Sequence, residues 1–256
     1  MSFDITEIGP PIPGLKEEIN KLVSENKIKL DWKNEISDSI EEKLNLVDFA
    51  IVNGDECLEI YKTINHRSVG SHFLNYIDFV FKDDNKSWGY STFTEAFVEV
   101  FRSSIKSHDY KGSVIFLGHN HLVAPTLSAL NQFGFNEFVF LELDEPLDVD
   151  HYLSHKTGLF DVKVSKVNSQ AFIQSQKEYS LCFSMYDNYP QQTLDDMSYF
   201  HFLSNQSMVF DLSGNSNFLF EEVKALGVEV VDYQQVLQVR KKYMMAKFLE
   251  IANKMS

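Results

Sequence analysis

Residues 113–130, SVIFLGHNHLVAPTLSAL, combine an apolar run, a short polar turn and an amphipathic segment. This order is typical of a strand, a tight turn and a helix whose first N–H groups face a phosphate. A dinucleotide turn needs glycine at the bend, glycine where the pyrophosphate approaches and a small residue at the helix. The sequence has Gly118, Asn120 and Val123 there. We therefore expect the Asn120 side chain to point into the space of a pyrophosphate, while Pro125 offers no N–H to an anion.

Two pairs of histidines have spacings that occur in metal sites. His119 and His121 lie in the turn, and His151 and His155 are one helical turn apart. Neither pair accompanies a second motif at a diagnostic spacing, and HYLSHKTG lacks the glutamate of the zinc-protease helix. The sequence thus predicts surface or capping histidines and no metal site, with metal-dependent chemistry at His119 and His121 as a third hypothesis.

The composition excludes several classes of function. Among 256 residues, 44% are hydrophobic and 23% charged, and the formal net charge is −14. That charge disfavours nucleic acid and anionic membranes as partners. The 22 phenylalanines and 11 tyrosines are expected in a core. Cys57 and Cys182 are predicted to be buried thiols in a reducing compartment. With no signal-like N-terminus and no apolar run of about 20 residues, the prediction is a cytoplasmic protein.

Apolar and amphipathic segments alternate along the chain, which predicts an α/β fold. Residues 75–91 have the pattern of a hairpin around the polar turn KDDNKS. After a polar stretch at 106–112, the chain continues as strand, helix and strand up to residue 144, and less regular residues follow. The best division lies at that polar stretch, and the final helix is expected to pack back on the first domain.

The order of these segments resembles the shikimate dehydrogenase family over essentially the whole chain. IGPPIPGLKEEINKLV stands where that family has a Gly-Asn-Pro-Ile turn, SWGYSTFTEAF where it has Gly-Tyr-Asn-Thr-Asp-Gly, and SVIFLGHNHLVAP where it has its glycine-rich loop. The resemblance implies an N-terminal substrate-type α/β domain (1–106), a Rossmann-like domain (107–235) and a C-terminal helix (236–256) that returns to the first domain. It also implies a ligand cleft between the domains.

The family's reacting groups are mostly replaced. The resemblance implies a lysine and an aspartate beside the hydroxyl that is oxidised. Phe93 stands at the position of the aspartate, and Asp55 and Glu56 stand where the lysine is expected. The next lysine is Lys62, a weak substitute.

Other cleft positions implied by the resemblance also differ from the family. The serines that bind the substrate carboxylate correspond to Gly14 and Lys16, the asparagine to Asn75, and the glutamine of the last helix to Arg240. Arg240 and Lys16 are candidates for an anion site, or for exposed basic side chains. Glu142 stands where NADP-dependent members have an arginine. A carboxylate would accept from a free ribose hydroxyl and repel a 2′-phosphate.

These replacements predict a shikimate dehydrogenase-like protein without shikimate:NADP oxidoreductase activity. It would bind a small molecule or a partner protein through its interdomain cleft, without a cofactor. The alternative is an NAD-linked oxidoreductase that acts on a shikimate-like hydroxy or keto acid, with Lys62 or a loop histidine as acid–base group. NAD is favoured over NADP if a dinucleotide binds. The sequence predicts neither the ligand nor the oligomeric state.

Overall fold

The computed structural model describes residues 2–33, 39–64, 66–68, 76–84, 86–105, 112–142, 161–175, 177–185, 202–204, 206–213 and 223–255. Within these ranges, no helix is long and apolar enough to cross a membrane. Asn75, His151 and His155, which the sequence analysis singled out, lie outside the described residues.

Twelve strands and seven helices are described. The strands are β1 (Ser2–Ile8), β2 (Lys29–Trp32), β3 (Phe49–Val52), β4 (His66–Arg67), β5 (Phe79–Asp83), β6 (Lys86–Tyr90), β7 (Val114–Leu117), β8 (Glu137–Glu142), β9 (Lys163–Asn168), β10 (Leu181–Ser184), β11 (Met208–Asp211) and β12 (Glu229–Val231). The helices are α1 (Leu15–Glu25), α2 (Ile40–Asn45), α3 (Glu56–Thr63), α4 (Thr92–Ser104), α5 (Val123–Gln132), α6 (Ser169–Gln174) and α7 (Tyr233–Lys254).

The chain forms two compact units. Unit 1 comprises Met1–Phe97 and Gln238–Ser256, and unit 2 comprises Val98–Leu237. The first division falls inside α4, a few residues before the polar stretch at 106–112, and the second falls inside α7. Most of α7 therefore belongs to the same unit as the N-terminal strands.

Unit 1 is built on a mixed sheet with the strand order β2-β1-β3-β5-β6-β4. β1 pairs in parallel with β2 and β3, whereas β5 and β6 form the predicted antiparallel hairpin. All four residues of β3 are buried, as expected of a central strand with neighbours on both sides. The ring of Phe248 on α7 lies 4.7 Å from that of Phe49, and this contact joins the last helix to the central strand.

Unit 2 is built on an all-parallel sheet with the strand order β12-β11-β10-β7-β8-β9. Counted from β7, this order is 3-2-1-4-5-6 read from the β9 edge, which is the Rossmann arrangement. The residues of β7, β10 and β11 are buried throughout. Phe116 stacks between Phe140 and Phe183, at ring-centre distances of 4.8 and 5.2 Å, and these rings form part of the core.

The predicted α/β fold class with two domains is confirmed, including the strand–helix–strand unit after residue 112. The sequence analysis missed β9 and α6, which lie in the region expected to be less regular. β9 is an edge strand with mostly exposed side chains, so it lacks the apolar alternation by which strands are recognised.

Candidate functional site

The turn after β7 lies at the point where the connections of the unit 2 sheet change direction. Gly118 ends the strand with a φ of 76°, a left-handed conformation that favours glycine. The next four residues lead into α5, which begins at Val123. In sheets of this order, β7 and β10 flank the crevice in which ligands bind.

The side chain of Asn120 lies at this crevice, held by three hydrogen bonds. Its Nδ2 donates to the carbonyl oxygens of Met185 at 3.0 Å and Leu212 at 3.3 Å, which follow β10 and β11. Its Oδ1 accepts from the N–H of Leu122 at 2.9 Å. One amide thus joins the carboxyl ends of three neighbouring strands to the start of α5.

The same arrangement uses two of the N–H groups that precede and begin α5. The N–H of Leu122 is bound by the Asn120 side chain, and the N–H of Val123 donates to the Asn120 carbonyl oxygen at 3.1 Å. Pro125 has no N–H to donate. The first turn of α5 is therefore a poor anion site, although a helix N-terminus ordinarily favours negative charge.

Replacement of Asn120 tests this network. N120A removes three hydrogen bonds, and we expect it to lower the free energy of unfolding by about 2 kcal/mol. N120D should cost more at neutral pH, because a carboxylate oxygen would then face the carbonyl oxygens of Met185 and Leu212. Urea unfolding followed by far-UV circular dichroism measures both values. An N120D variant as stable as N120A would contradict the assignment of the bonds.

The other predicted residues of the nucleotide site lie on β8 and in the turn after β7. Glu142 ends β8, and its carboxylate lies 3.4 Å from Nζ of Lys166 on β9. His119 and His121 are half-buried in the turn. No group of three metal-ligating side chains that could hold an ion occurs among the described residues.

Phe93 is fully buried at the start of α4 in unit 1. Its ring centre lies 6.0 Å from that of Tyr76 and 6.1 Å from that of Phe97, with which it stacks. The position that the resemblance assigns to a reacting carboxylate thus holds a core aromatic ring.

A carboxylate that the sequence analysis overlooked lies next to Phe93. Asp78 precedes β5 and is 0% exposed. Its Oδ1 accepts from the N–H of Thr92 at 2.6 Å, and its Oδ2 accepts from the Thr92 hydroxyl at 2.9 Å and the N–H of Phe93 at 2.8 Å. Asp78 therefore caps α4 from a neighbouring strand, where the helix dipole favours a negative charge. The lone acidic residue within the apolar run YIDFVF was the available signal.

Arg240 is the cation paired with this carboxylate. It is 1% exposed, and its Nε lies 3.2 Å from Oδ2 of Asp78. Its Nη1 donates to Oδ1 of Asn53 at 3.0 Å, and its Nη2 donates to the carbonyl oxygen of Val52 at 3.3 Å. The sequence left open whether Arg240 faces a ligand or is simply exposed; the structure buries it, with its guanidinium bound to groups of unit 1.

The predicted lysines lie on α1 and α3. Lys16 is half-buried on α1, with its Nζ 4.7 Å from the centre of the Trp32 ring. Burial raises the pKa of the Glu7 carboxyl, and the charge of Lys16 acts in the opposite direction. Lys62 is exposed near the end of α3. Lys241, next to Arg240, is 4% exposed and bonds Glu18 at 2.8 Å.

Both thiols are poor nucleophiles. Cys57 and Cys182 are buried, as the sequence predicted, and burial raises the pKa of each thiol well above its ordinary value. Burial also raises the pKa of the Tyr76 hydroxyl. The two thiols stay protonated at neutral pH, so they are unsuited to nucleophilic catalysis.

Comparison with known proteins gives structural matches only. No protein-family model matches the sequence, and no curated protein matches it. Shikimate 5-dehydrogenase from Listeria monocytogenes, in complex with shikimate and NAD, matches with a TM-score of 0.72 at 9% identity over 95% of this chain and 90% of that chain.

Two enzymes with other substrates in their names match almost as well. Quinate dehydrogenase from Corynebacterium glutamicum, in complex with NAD, has a TM-score of 0.70 at 11% identity, over 98% of this chain and 99% of that chain. The 5-ketofructose reductase of a Gluconobacter strain has a TM-score of 0.66 at 11% identity, with the same coverage of 98% and 99%. At such identities the likeness establishes the fold alone, and this chain has a two-unit, shikimate dehydrogenase-like fold.

Proposed function

We propose that this protein retains the shikimate dehydrogenase-like fold without dinucleotide-linked hydride transfer, and that it binds a small molecule or a partner protein. The observation that carries the proposal is the Asn120 amide. It is bonded to the residues that follow β10 and β11 and to the N–H of Leu122 before α5, at the crevice where a Rossmann-type sheet holds a dinucleotide. Hydride transfer to or from a nicotinamide requires the nucleotide, so closure of this crevice removes one reactant.

Unit 1 supports the same proposal independently. Phe93 can neither accept a proton nor orient a hydroxyl group, and it lies in an aromatic cluster. The nearby carboxylate of Asp78 already accepts three hydrogen bonds from α4 and pairs with Arg240. A general base must be within hydrogen-bond reach of the proton that it removes. Because the carboxylate oxygens of Asp78 bond to groups of the protein itself, Asp78 is unsuited to act as the general base.

A cavity in unit 1 supports a binding role. It has a volume of about 510 Å³ and opens beside Gly9, which follows β1. This volume falls in the range of small-molecule sites. Its walls carry Glu41, Glu56 and Glu59 against Lys43, so their charge favours a neutral or cationic molecule over an anionic hydroxy acid.

Thermal unfolding with and without dinucleotides tests the proposal. A ligand that binds only the native state at 100 times its Kd stabilises it by roughly 2.7 kcal/mol. We expect millimolar NAD, NADH, NADP and NADPH to leave the melting temperature unchanged. We also expect no oxidation of shikimate or quinate, and no reduction of 5-ketofructose, above the background without protein. A clear dinucleotide-dependent shift, or turnover of any of these substrates, would overturn the proposal.

The alternative, an NAD-linked oxidoreductase, is favoured by Glu142. This carboxylate ends the second strand of the Rossmann order, where an acidic residue accepts from the ribose 2′-hydroxyl. If this function is correct, NAD raises the melting temperature more than NADP does, and E142R reverses that order. Melting temperatures measured with NAD and NADP therefore distinguish the two proposed functions.

A further inference from the structure

Arg240, on the last helix α7, carries the positive charge that balances the buried carboxylate of Asp78 in unit 1. We propose that α7 completes unit 1 when its Arg240 guanidinium binds to a preformed site made by Val52, Asn53 and Asp78. Unit 1 then reaches its stable state only when this segment has docked with its charge in place.

The carboxylate needs this partner because it is entirely enclosed. Asp78 is 0% exposed, and its contacts from Thr92 and Phe93 come from two N–H groups and a hydroxyl, which carry no net charge. An unpaired charge away from water is strongly unfavourable even when it accepts hydrogen bonds. Arg240 brings the opposite charge to 3.2 Å, from 162 positions further along the chain.

The acceptors match the planar shape of a guanidinium. The Nε, Nη1 and Nη2 atoms each meet a different oxygen, from a carboxylate, a side-chain amide and a main-chain carbonyl. Val52 ends β3 and Asn53 follows it, and Asp78 precedes β5, the strand that pairs with β3. Asn53 is held in turn, since its N–H donates to the Ile8 carbonyl oxygen at 3.0 Å and its Nδ2 donates to Pro10 at 3.1 Å. All three acceptors therefore belong to the N-terminal part of unit 1, and their geometry is specific for Arg rather than Lys.

Other contacts of α7 distinguish this proposal from ordinary helix packing. Met244, Phe248 and Ile251 are buried, and Lys241 pairs with Glu18. Apolar burial and a partly exposed ion pair would hold the helix whether or not Arg240 were charged. The proposal assigns the dominant role to Arg240, and this assignment can be tested on the full-length chain.

Both tryptophans of the chain, Trp32 and Trp88, lie in unit 1, so their fluorescence reports the unfolding of that unit. We expect R240A to lower the midpoint of the tryptophan-detected thermal transition by roughly 10 °C or more. K242A removes an exposed charge from the same helix and should shift the midpoint by roughly 2 °C or less. Equal shifts for R240A and K242A would overturn the proposal.

Two further measurements keep the test decisive if R240A folds poorly. The double variant D78N/R240M should melt at a higher temperature than R240M, because neither buried charge remains. Millimolar ethylguanidinium should raise the midpoint of R240A more than ethylammonium does, and should leave the wild type unchanged. A double variant no more stable than R240M, or equal effects of the two cations on R240A, would show that the guanidinium site is not what completes unit 1.

Discussion

Replacement of Phe93 by aspartate, which introduces the residue type that the family resemblance assigns to this position, is expected to destabilise unit 1 strongly rather than to create a dehydrogenase. The ring is fully buried between Tyr76 and Phe97. Removal of a buried phenylalanine side chain costs about 4 kcal/mol. The introduced carboxylate would add the cost of a second buried negative charge beside Asp78, whose Oδ2 accepts from the N–H of Phe93 at 2.8 Å.

The variants F93A and F93L separate these contributions. F93L keeps an apolar side chain and should cost about 1 kcal/mol, whereas F93A reports the cavity alone. Tryptophan-detected urea unfolding gives the three values. Burial raises the pKa of the introduced carboxyl. The difference in free energy of unfolding between F93A and F93D is therefore full at neutral pH, and it decreases as the pH falls and the group is protonated. An F93D variant as stable as F93L, or one with shikimate-oxidising activity, would show that the site tolerates a carboxylate.

The turn after β7 shows how far local sequence could lead. The apolar run, Gly118 and the amphipathic segment predicted the strand, the bend and α5, because each feature depends on residues close in the chain. The replacement of the second glycine by Asn120 was also visible. Its carbonyl partners at Met185 and Leu212, however, lie 65 and 92 positions away, and only the strand order brings them to the turn.

The centre of unit 1 was predicted less well for the same reason. The hairpin of β5 and β6 was evident from alternation around a polar turn, yet Asp78 passed unnoticed within it. Arg240 stands beside Lys241 and Lys242, and a run of three basic residues ordinarily indicates an exposed helix face. Its burial depends on a partner 162 positions earlier, and pattern analysis of a single helix contains no information about such a partner.

In each unit, the chain's own side chains bind groups at the carboxyl edge of the sheet. In unit 2, the Asn120 amide binds the carbonyl oxygens that follow β10 and β11. In unit 1, Arg240 binds the last carbonyl oxygen of β3 and the side chain of Asn53. Ligands of open α/β sheets bind at this edge. Internal partners at both edges support the proposed function, in which the fold persists without groups that handle a cofactor and a hydroxy acid.

The replacement of Gly9 by alanine tests how tightly the carboxyl edge of unit 1 is built. Gly9 follows β1 with a φ of 83°, and a Cβ added there would lie 2.0 Å from the main-chain oxygen of Asn53. No side-chain rotation relieves that contact, so the loops after β1 and β3 must separate. This movement disturbs Asn53, which accepts a hydrogen bond from Arg240. We expect G9A to lower the free energy of unfolding by about 3 kcal/mol or more, as overpacking adds to the strain of a left-handed alanine.

Gly14 supplies the matched control in the same unit. Its φ is 71°, but an added Cβ would meet only side-chain ends, that of Lys241 at 3.3 Å and that of Glu18 at 3.9 Å. G14A should therefore cost about 1 kcal/mol, the conformational penalty alone. Tryptophan fluorescence in urea reports both variants, because Trp32 and Trp88 lie in unit 1. Equal losses in free energy of unfolding for G9A and G14A would mean that the loops after β1 and β3 separate at no cost, and that the binding site of Arg240 is not rigid.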